Sequence, residues 1–307
     1  MTHMFINLPS RFISITGEDS EKFLQGQCST DINSLDSNHF SYGTLNTPKG
    51  RIYGLFKVVR ISNGLLLSVD ESCFEHILKT LSKYAVFFKC ELKEANFHSY
   101  GCSTPSLAVI CERYPELAAL KAPEDNSNKA GDDNTLLIRL PGKQGLLEFW
   151  SQQVPDDSCS DTEALENWLA KETKAGIPQV FSATQEQFIL QELNLHELGA
   201  VSFKKGCYTG QEIIARMKFL GKLKKRMCLL EGNGTAADQL EPGADVFIKT
   251  IEGLPKKVGK LVRAHTLTDT IITALAVLNK EQVDTGETTY IGSDLDTGFI
   301  VSDLSYS

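Results

Sequence analysis

A switch in hydrophobic period near residue 226 narrows the folds open to this 307-residue chain. Beyond it, short β-type runs recur at 226–230, 245–251, 257–264, 270–278 and 287–291, separated by Gly, Asn, Asp and Pro. Five or six short strands with no helical stripe among them predict a small antiparallel barrel or sandwich. Ahead of the switch the pattern is mixed. RFISIT (11–16) reads as a strand ended by Gly17, after which Asp19 or Ser20 can cap a helix through Phe23 and Leu24. Strands are predicted at 51–60 and 64–69, a helix at 71–84, then strands at 85–92, 106–111 and 135–140. The polar stretches 121–134 and 151–160 read as loops. Ser160 and Glu163 form a capping-box pattern for a helix with the apolar stripe Ala164, Leu165, Trp168 and Leu169, stopped by Gly176 and Pro178. The expected class is α+β, divided into an α+β region over 1–223 and a barrel over 224–307.

Composition excludes several roles. No apolar run approaches the ~18 residues needed to span a bilayer. The start, MTHMFINLPSRF, lacks a cationic stretch followed by an apolar core, so a cytoplasmic protein with no membrane association is expected. Eight cysteines are scattered, with no CxxC pair and none beside a histidine at zinc-ligand spacing, which predicts reduced thiols and no metal site. A net charge of −8 argues against bulk coating of nucleic acid but leaves room for one basic face.

That basic face has an obvious location. Between Lys204 and Arg226 stand eight Lys/Arg and one acid, Glu212. Thr209-Gly210-Gln211-Glu212 fits a capping box, with Tyr208 and Ile213 as its hydrophobic staple, and Ile213, Ile214 and Met217 supply an apolar helix face ending near Gly221. Cys207 then lies just ahead of a helix start with Lys204 and Lys205 beside it, a setting that favours a thiolate. A buried structural cysteine is the competing reading. Glu212 is explained by capping, Gln211 is either a surface residue or an amide donor to a ligand, and the lysine run 216–226 is either a solvated linker or an anion-attracting surface.

Lys205-Gly206-Cys207-Tyr208-Thr209-Gly210-Gln211-Glu212 resembles the signature K-G-C-[FY]-x-G-Q-E of the YgfZ family. ITGEDSEKFLQGQCSTDI (15–32), TPKGRIYGLFKV (47–58), KYAVFFK (83–89) and AGIP (175–178) agree in the same order, so the resemblance spans nearly the whole chain. It implies a three-part cloverleaf like the folate-dependent aminomethyltransferases, closed by a C-terminal β-barrel around a central tetrahydrofolate pocket. It also implies a function in iron–sulfur protein maturation and tRNA modification that depends on Cys207, with Lys205 and Gln211 as companions in the signature. For the cofactor, tetrahydrofolate or a one-carbon derivative, it points to Glu172 as the pterin carboxylate, with Trp168 and Tyr208 as aromatic contacts. The chain departs from the family at Ile189-Leu190-Gln191, where Ile-Pro-Gln is expected. It also has no aspartate in the transferases' catalytic context; Asp70, in SVDESC, is the nearest candidate.

Three functions follow in order of preference. The first is a folate-binding factor that assists assembly or repair of iron–sulfur clusters, with folate and iron–sulfur client or assembly proteins as partners. The second is a folate-dependent aminomethyltransferase or demethylase acting on a small amine. The third is a tRNA-binding module using the 216–226 face.

Overall fold

The Leu-, Val-, Ile- and Phe-rich runs before residue 100 pair as one antiparallel sheet. Its strand order is Phe40–Asn46, Ile52–Ile61, Gly64–Asp70, Ser10–Thr16 and Glu91–Ala95. Period-2 alternation splits these strands between two cores. Ile13, Ile15, Leu65 and Leu67 face helices α1 (Ser20–Gln27) and α2 (Phe74–Ala85), packing on Phe23, Leu24, Phe74 and Ile77. Phe12, Leu55, Val59 and Leu66 face the centre of the molecule. The computed structural model describes residues 4–103, 106–121, 129–142, 144–234, 240–268, 270–281, 283–292, 295 and 297–306.

A second sheet runs Ser158–Cys159, Phe5–Asn7, His98–Ser103, Leu146–Ser151, Thr135–Arg139 and Lys129–Gly131. Helix α3 (Leu107–Arg113) closes one face of it over Phe5, Tyr100 and Phe149. Helix α4 (Thr162–Lys174) lies on the other, its Trp168 indole seated where a Cβ at Gly101 would stand 2.5 Å away. Only glycine permits that approach.

Six strands beyond the basic run close a barrel: Lys225–Asn233, Ile271–Asn279, Pro255–Thr268, Asp245–Lys249, Thr288–Ile291 and Gly298–Ser302. Cys228 and Leu230 point into it, while Met227 and Leu229 point out to join the central core with Val262, Leu275 and Val277. All three layers therefore share one core. That core is where the cavity lies.

Several local expectations give way. The run 106–111 forms the helix α3, because its buried residues Leu107, Ile110 and Cys111 recur at helical spacing, which a short apolar run alone does not reveal. Pairing at 85–92 begins only at Glu91. Before it the chain rounds the start of α1, where Asp19 and Lys89 exchange hydrogen bonds of 3.2 and 2.9 Å, and Phe87 is left 83% exposed. The cap of α4 is Asp161 rather than Ser160, its carboxylate accepting from the Ala164 amide at 2.8 Å. Of the loop predicted at 121–134, residues 122–128 lie outside the described residues, and Lys129–Gly131 is a strand.

Candidate functional site

Where the two sheets, α4 and the barrel converge, a cavity is walled by apolar Leu55, Phe56, Leu169 and Ile177 and floored by charge. Glu172 reaches it from the last turn of α4 and is buried. Burial pushes its carboxyl above the usual range, against the pull of the Arg263 and Lys57 cations. Arg263 comes from the long barrel strand and donates from Nη1 to Glu172 Oε2 at 3.3 Å. A register shift between Leu261 and Arg263 aims it there. Leu261 and Ala264 pack with the barrel interior, so the extra residue lets Val262 and Arg263 both face outward.

The cation is itself held in a chain. Its Nη2 donates to His265 Nε2 at 3.1 Å. Since a guanidinium only donates, His265 carries its proton on Nδ1 and gives that bond to Glu166, 3.1 Å away. Burial, aided by Arg263, lowers the His265 pKa. Burial pushes the Glu166 carboxyl up, but the hydrogen bond and charge of His265, the Thr266 amide and the Arg263 cation together hold it below the usual carboxylate range.

A second ion pair, Lys57 with Glu148, lines the same cavity, and Trp150 Nε1 holds the other Glu148 oxygen at 2.9 Å. Two carboxylates thus meet two cations in the cavity. What stays unsatisfied is the Tyr42 hydroxyl and Arg263 Nε, both buried with no hydrogen-bond partner among the described residues. Asp70 also lines the wall. One of its oxygens accepts from the Ser72 amide at 2.9 Å and from the Ser72 hydroxyl, the other from Gln179 Nε2 at 3.1 Å.

Of the residues singled out from sequence, only Glu172 and Asp70 line this cavity. Trp168 is core packing against Gly101. Tyr208 is buried but stands outside the cavity wall, under the Lys205 ammonium at 5.1 Å from its ring centre. Tyr42, Lys57, Glu148, Arg263 and His265 were not anticipated. The one available signal was Arg263-Ala264-His265, two ionisable side chains at period 2 on a strand otherwise bound for a core.

The signature segment occupies a different place. Cys207 alone among the eight cysteines is exposed, so the buried reading of it falls. Lys205 does not flank the thiol: its ammonium turns inward and donates to the carbonyls of Gln25, Cys28 and Thr30 at 2.6, 2.9 and 2.6 Å. Burial lowers its pKa. Helix α5 spans Gln211–Phe219 and is capped by Gly210 with no side-chain hydrogen bond, so the Thr209–Glu212 capping box does not form. Gly210 adopts φ +84°, and a Cβ there would stand 2.7 Å from the Thr47 carbonyl, so the turn is set by backbone approach rather than by a hydroxyl.

With this geometry in view, the likeness to other proteins is informative. The chain is 30% identical over 275 residues to the tRNA-modifying protein YgfZ of Shigella sonnei, covering 87% of this chain and 82% of that protein. The Yersinia enterocolitica protein of the same name is 30% identical over 276 residues, covering 88% of this chain and 82% of its own. This chain belongs to the YgfZ family. No family model matches it. The glycine cleavage system aminomethyltransferase T from Bartonella henselae superposes with a TM-score of 0.71 over 97% of this chain and 84% of that one, at 13% identity. The chain thus has the aminomethyltransferase fold with its closed C-terminal barrel, as the signature implied. Among the described residues, no helix is long and apolar enough to cross a membrane.

Proposed function

We propose that this YgfZ-family chain binds a reduced folate, tetrahydrofolate or a one-carbon derivative, in the central cavity. The observation that carries the reading is the buried Glu172 carboxylate facing the same space as the unpartnered Tyr42 hydroxyl. A pterin edge presents paired N–H donors and an acceptor. Glu172 accepts the first, and Tyr42 or Arg263 Nε donates to the second. Leu55, Phe56 and Ile177 supply flat apolar walls. A bound folate supplies a carrier for a one-carbon unit; the chain's own groups bind and orient it and keep water from the ring.

The bound folate serves assembly or repair of iron–sulfur clusters, including those of tRNA-modifying enzymes, with exposed Cys207 as the working thiol and Lys205 as the tether of its loop. Gln211 opens α5 four residues on and is the amide nearest the thiol in sequence. The transferase reading keeps one supporting observation, the fixed Asp70 carboxylate in the cavity wall. Turnover of a small amine with tetrahydrofolate, lost in Asp70→Asn, would establish it.

Calorimetric titration with tetrahydrofolate tests the main reading. Binding should be saturable in the wild type, weakened about tenfold in Tyr42→Phe, lost in Glu172→Ala and unchanged in Cys207→Ala. No binding to the wild type would remove the folate from this proposal. Cys207→Ala in a deletion strain should lower iron–sulfur enzyme activities, and wild-type activities there would remove the thiol.

A further inference from the structure

The loop 203–207 runs antiparallel alongside α5. Phe203 packs edge-on against Phe219 at the end of the helix, 6.0 Å between ring centres, while Cys207 lies at its start. Nine helical residues separate the two ends, about 13 Å. The far end is apolar and open: Phe219 is 68% and Leu220 is 84% exposed, adjacent in sequence beyond the last turn.

Around this knob the charge is one-sided. Lys204, Arg216, Lys218, Lys222, Lys224 and Lys225 are exposed, and none forms an ion pair among the described residues. The barrel adds to them, because the Lys280 amide donates to the Lys224 carbonyl at 2.9 Å and brings its side chain alongside. His196 beneath has its pKa lowered by burial, against the pull of Glu197 and with the help of Lys218 and Lys280. Some charges elsewhere on the surface are paired, as in Arg11 with Glu75 and Glu94 or Lys257 with Asp245. In a chain of net charge −8, this is a face with a local excess of positive charge around two exposed apolar side chains.

We infer that the Phe219–Leu220 knob and its ring of lysines form a docking surface for an acidic protein segment bearing apolar side chains, which seats its partner within reach of Cys207. The charge complement selects an anion. The knob selects among anions. A nucleic-acid backbone offers nothing to cover a branched Leu220, whereas an apolar cleft on a protein desolvates both side chains, the arrangement in which interface anchors contribute most. This surface is separate from the cavity and does not depend on folate.

Fluorescence anisotropy on the full chain tests it with three probes: two acidic peptides of equal length and charge, one with leucines at helical spacing and one with serines in their place, and unfractionated tRNA. The leucine peptide should bind about tenfold more tightly than the serine peptide. That advantage should vanish in F219S/L220S, whose exposed positions leave the fold intact by circular dichroism and thermal melting. K222E/K224E should weaken both peptides, with the leucine advantage retained. Equal binding of the two peptides, or binding of neither, overturns the inference. So does tRNA binding that survives F219S/L220S while the leucine peptide fails to compete, which would assign the face to RNA. None of these outcomes bears on folate binding.

Discussion

The cavity and the α5 face treat charge in opposite ways. In the cavity two buried carboxylates each have a cation from another part of the chain: Glu172 meets Arg263 of the barrel, and Glu148 of the second sheet meets Lys57 of the first, while Asp70 is held by the neutral donors Ser72 and Gln179. On the α5 face, six cations stand in solvent with no ion pair among the described residues, and Glu212 is the one acid in that stretch. A buried charge must be matched within the fold, because leaving it alone costs several kcal/mol. A solvated charge need not be, so its excess is left to act on another molecule. The difference matches the two proposals, a small enclosed ligand in the cavity and a large partner on the α5 face.

Substitution should expose that contrast most strongly at Arg263. Arg263→Leu leaves Glu172 buried and unpaired and should cost about 3–5 kcal/mol in urea unfolding. A loss under 1 kcal/mol would show that water reaches the carboxylate. Lys205 belongs energetically with the cavity although it lies in the basic stretch. Lys205→Met removes the donor from three buried carbonyls and should cost about 3 kcal/mol. Because those carbonyls fix the loop before Cys207, the variant should also change the rate at which Cys207 reacts with a disulfide reagent. An unchanged rate would break the link between tether and thiol.

Acidity offers a subtler test. His265 and His196 both have lowered pKa values in the folded chain, so the unfolded chain binds more protons as they titrate. Stability should therefore be full above the ordinary histidine pKa of about 6.5 and fall as pH drops through and below it. Glu166, also lowered, adds a further loss only below about pH 4.5. Thermal melting of His265→Gln between pH 7 and 5 should show a flatter decline than the wild type, and parallel curves would exclude His265 from the effect. The smallest change is expected on the open face, where Lys222→Ser with Lys224→Ser should leave stability within about 0.5 kcal/mol. A larger loss would mean these lysines are paired within the fold after all.

Much of this architecture was legible in the residues themselves. The barrel was foreshadowed by short β-type runs such as Met227, Cys228, Leu229, Leu230, apolar throughout because alternate side chains enter the barrel interior and the central core. Helix α4 showed its stripe, although Asp161 took the cap from Ser160, a choice between adjacent capping side chains that sequence does not rank. The run 106–111 misled for the opposite reason: six apolar-rich residues fit either period. Cys207 was found by its signature, yet the lysine beside it was assigned to the wrong partner. Sequence neighbours share a chain, not a direction, and Lys205 points to the end of α1.

The sequence by itself determined the strand and helix periods, the barrel and the excess of charge around Cys207, since these depend on residue order over a few turns. The tertiary structure decided which charges are buried together. Glu172 and Arg263 are 91 residues apart, as are Lys57 and Glu148. Their pairing exists only once two sheets and a barrel close on one core. Burial, hydrogen bonding and the pKa values that follow are properties of that closure, because desolvation depends on everything that surrounds a group and not on what precedes it in the chain.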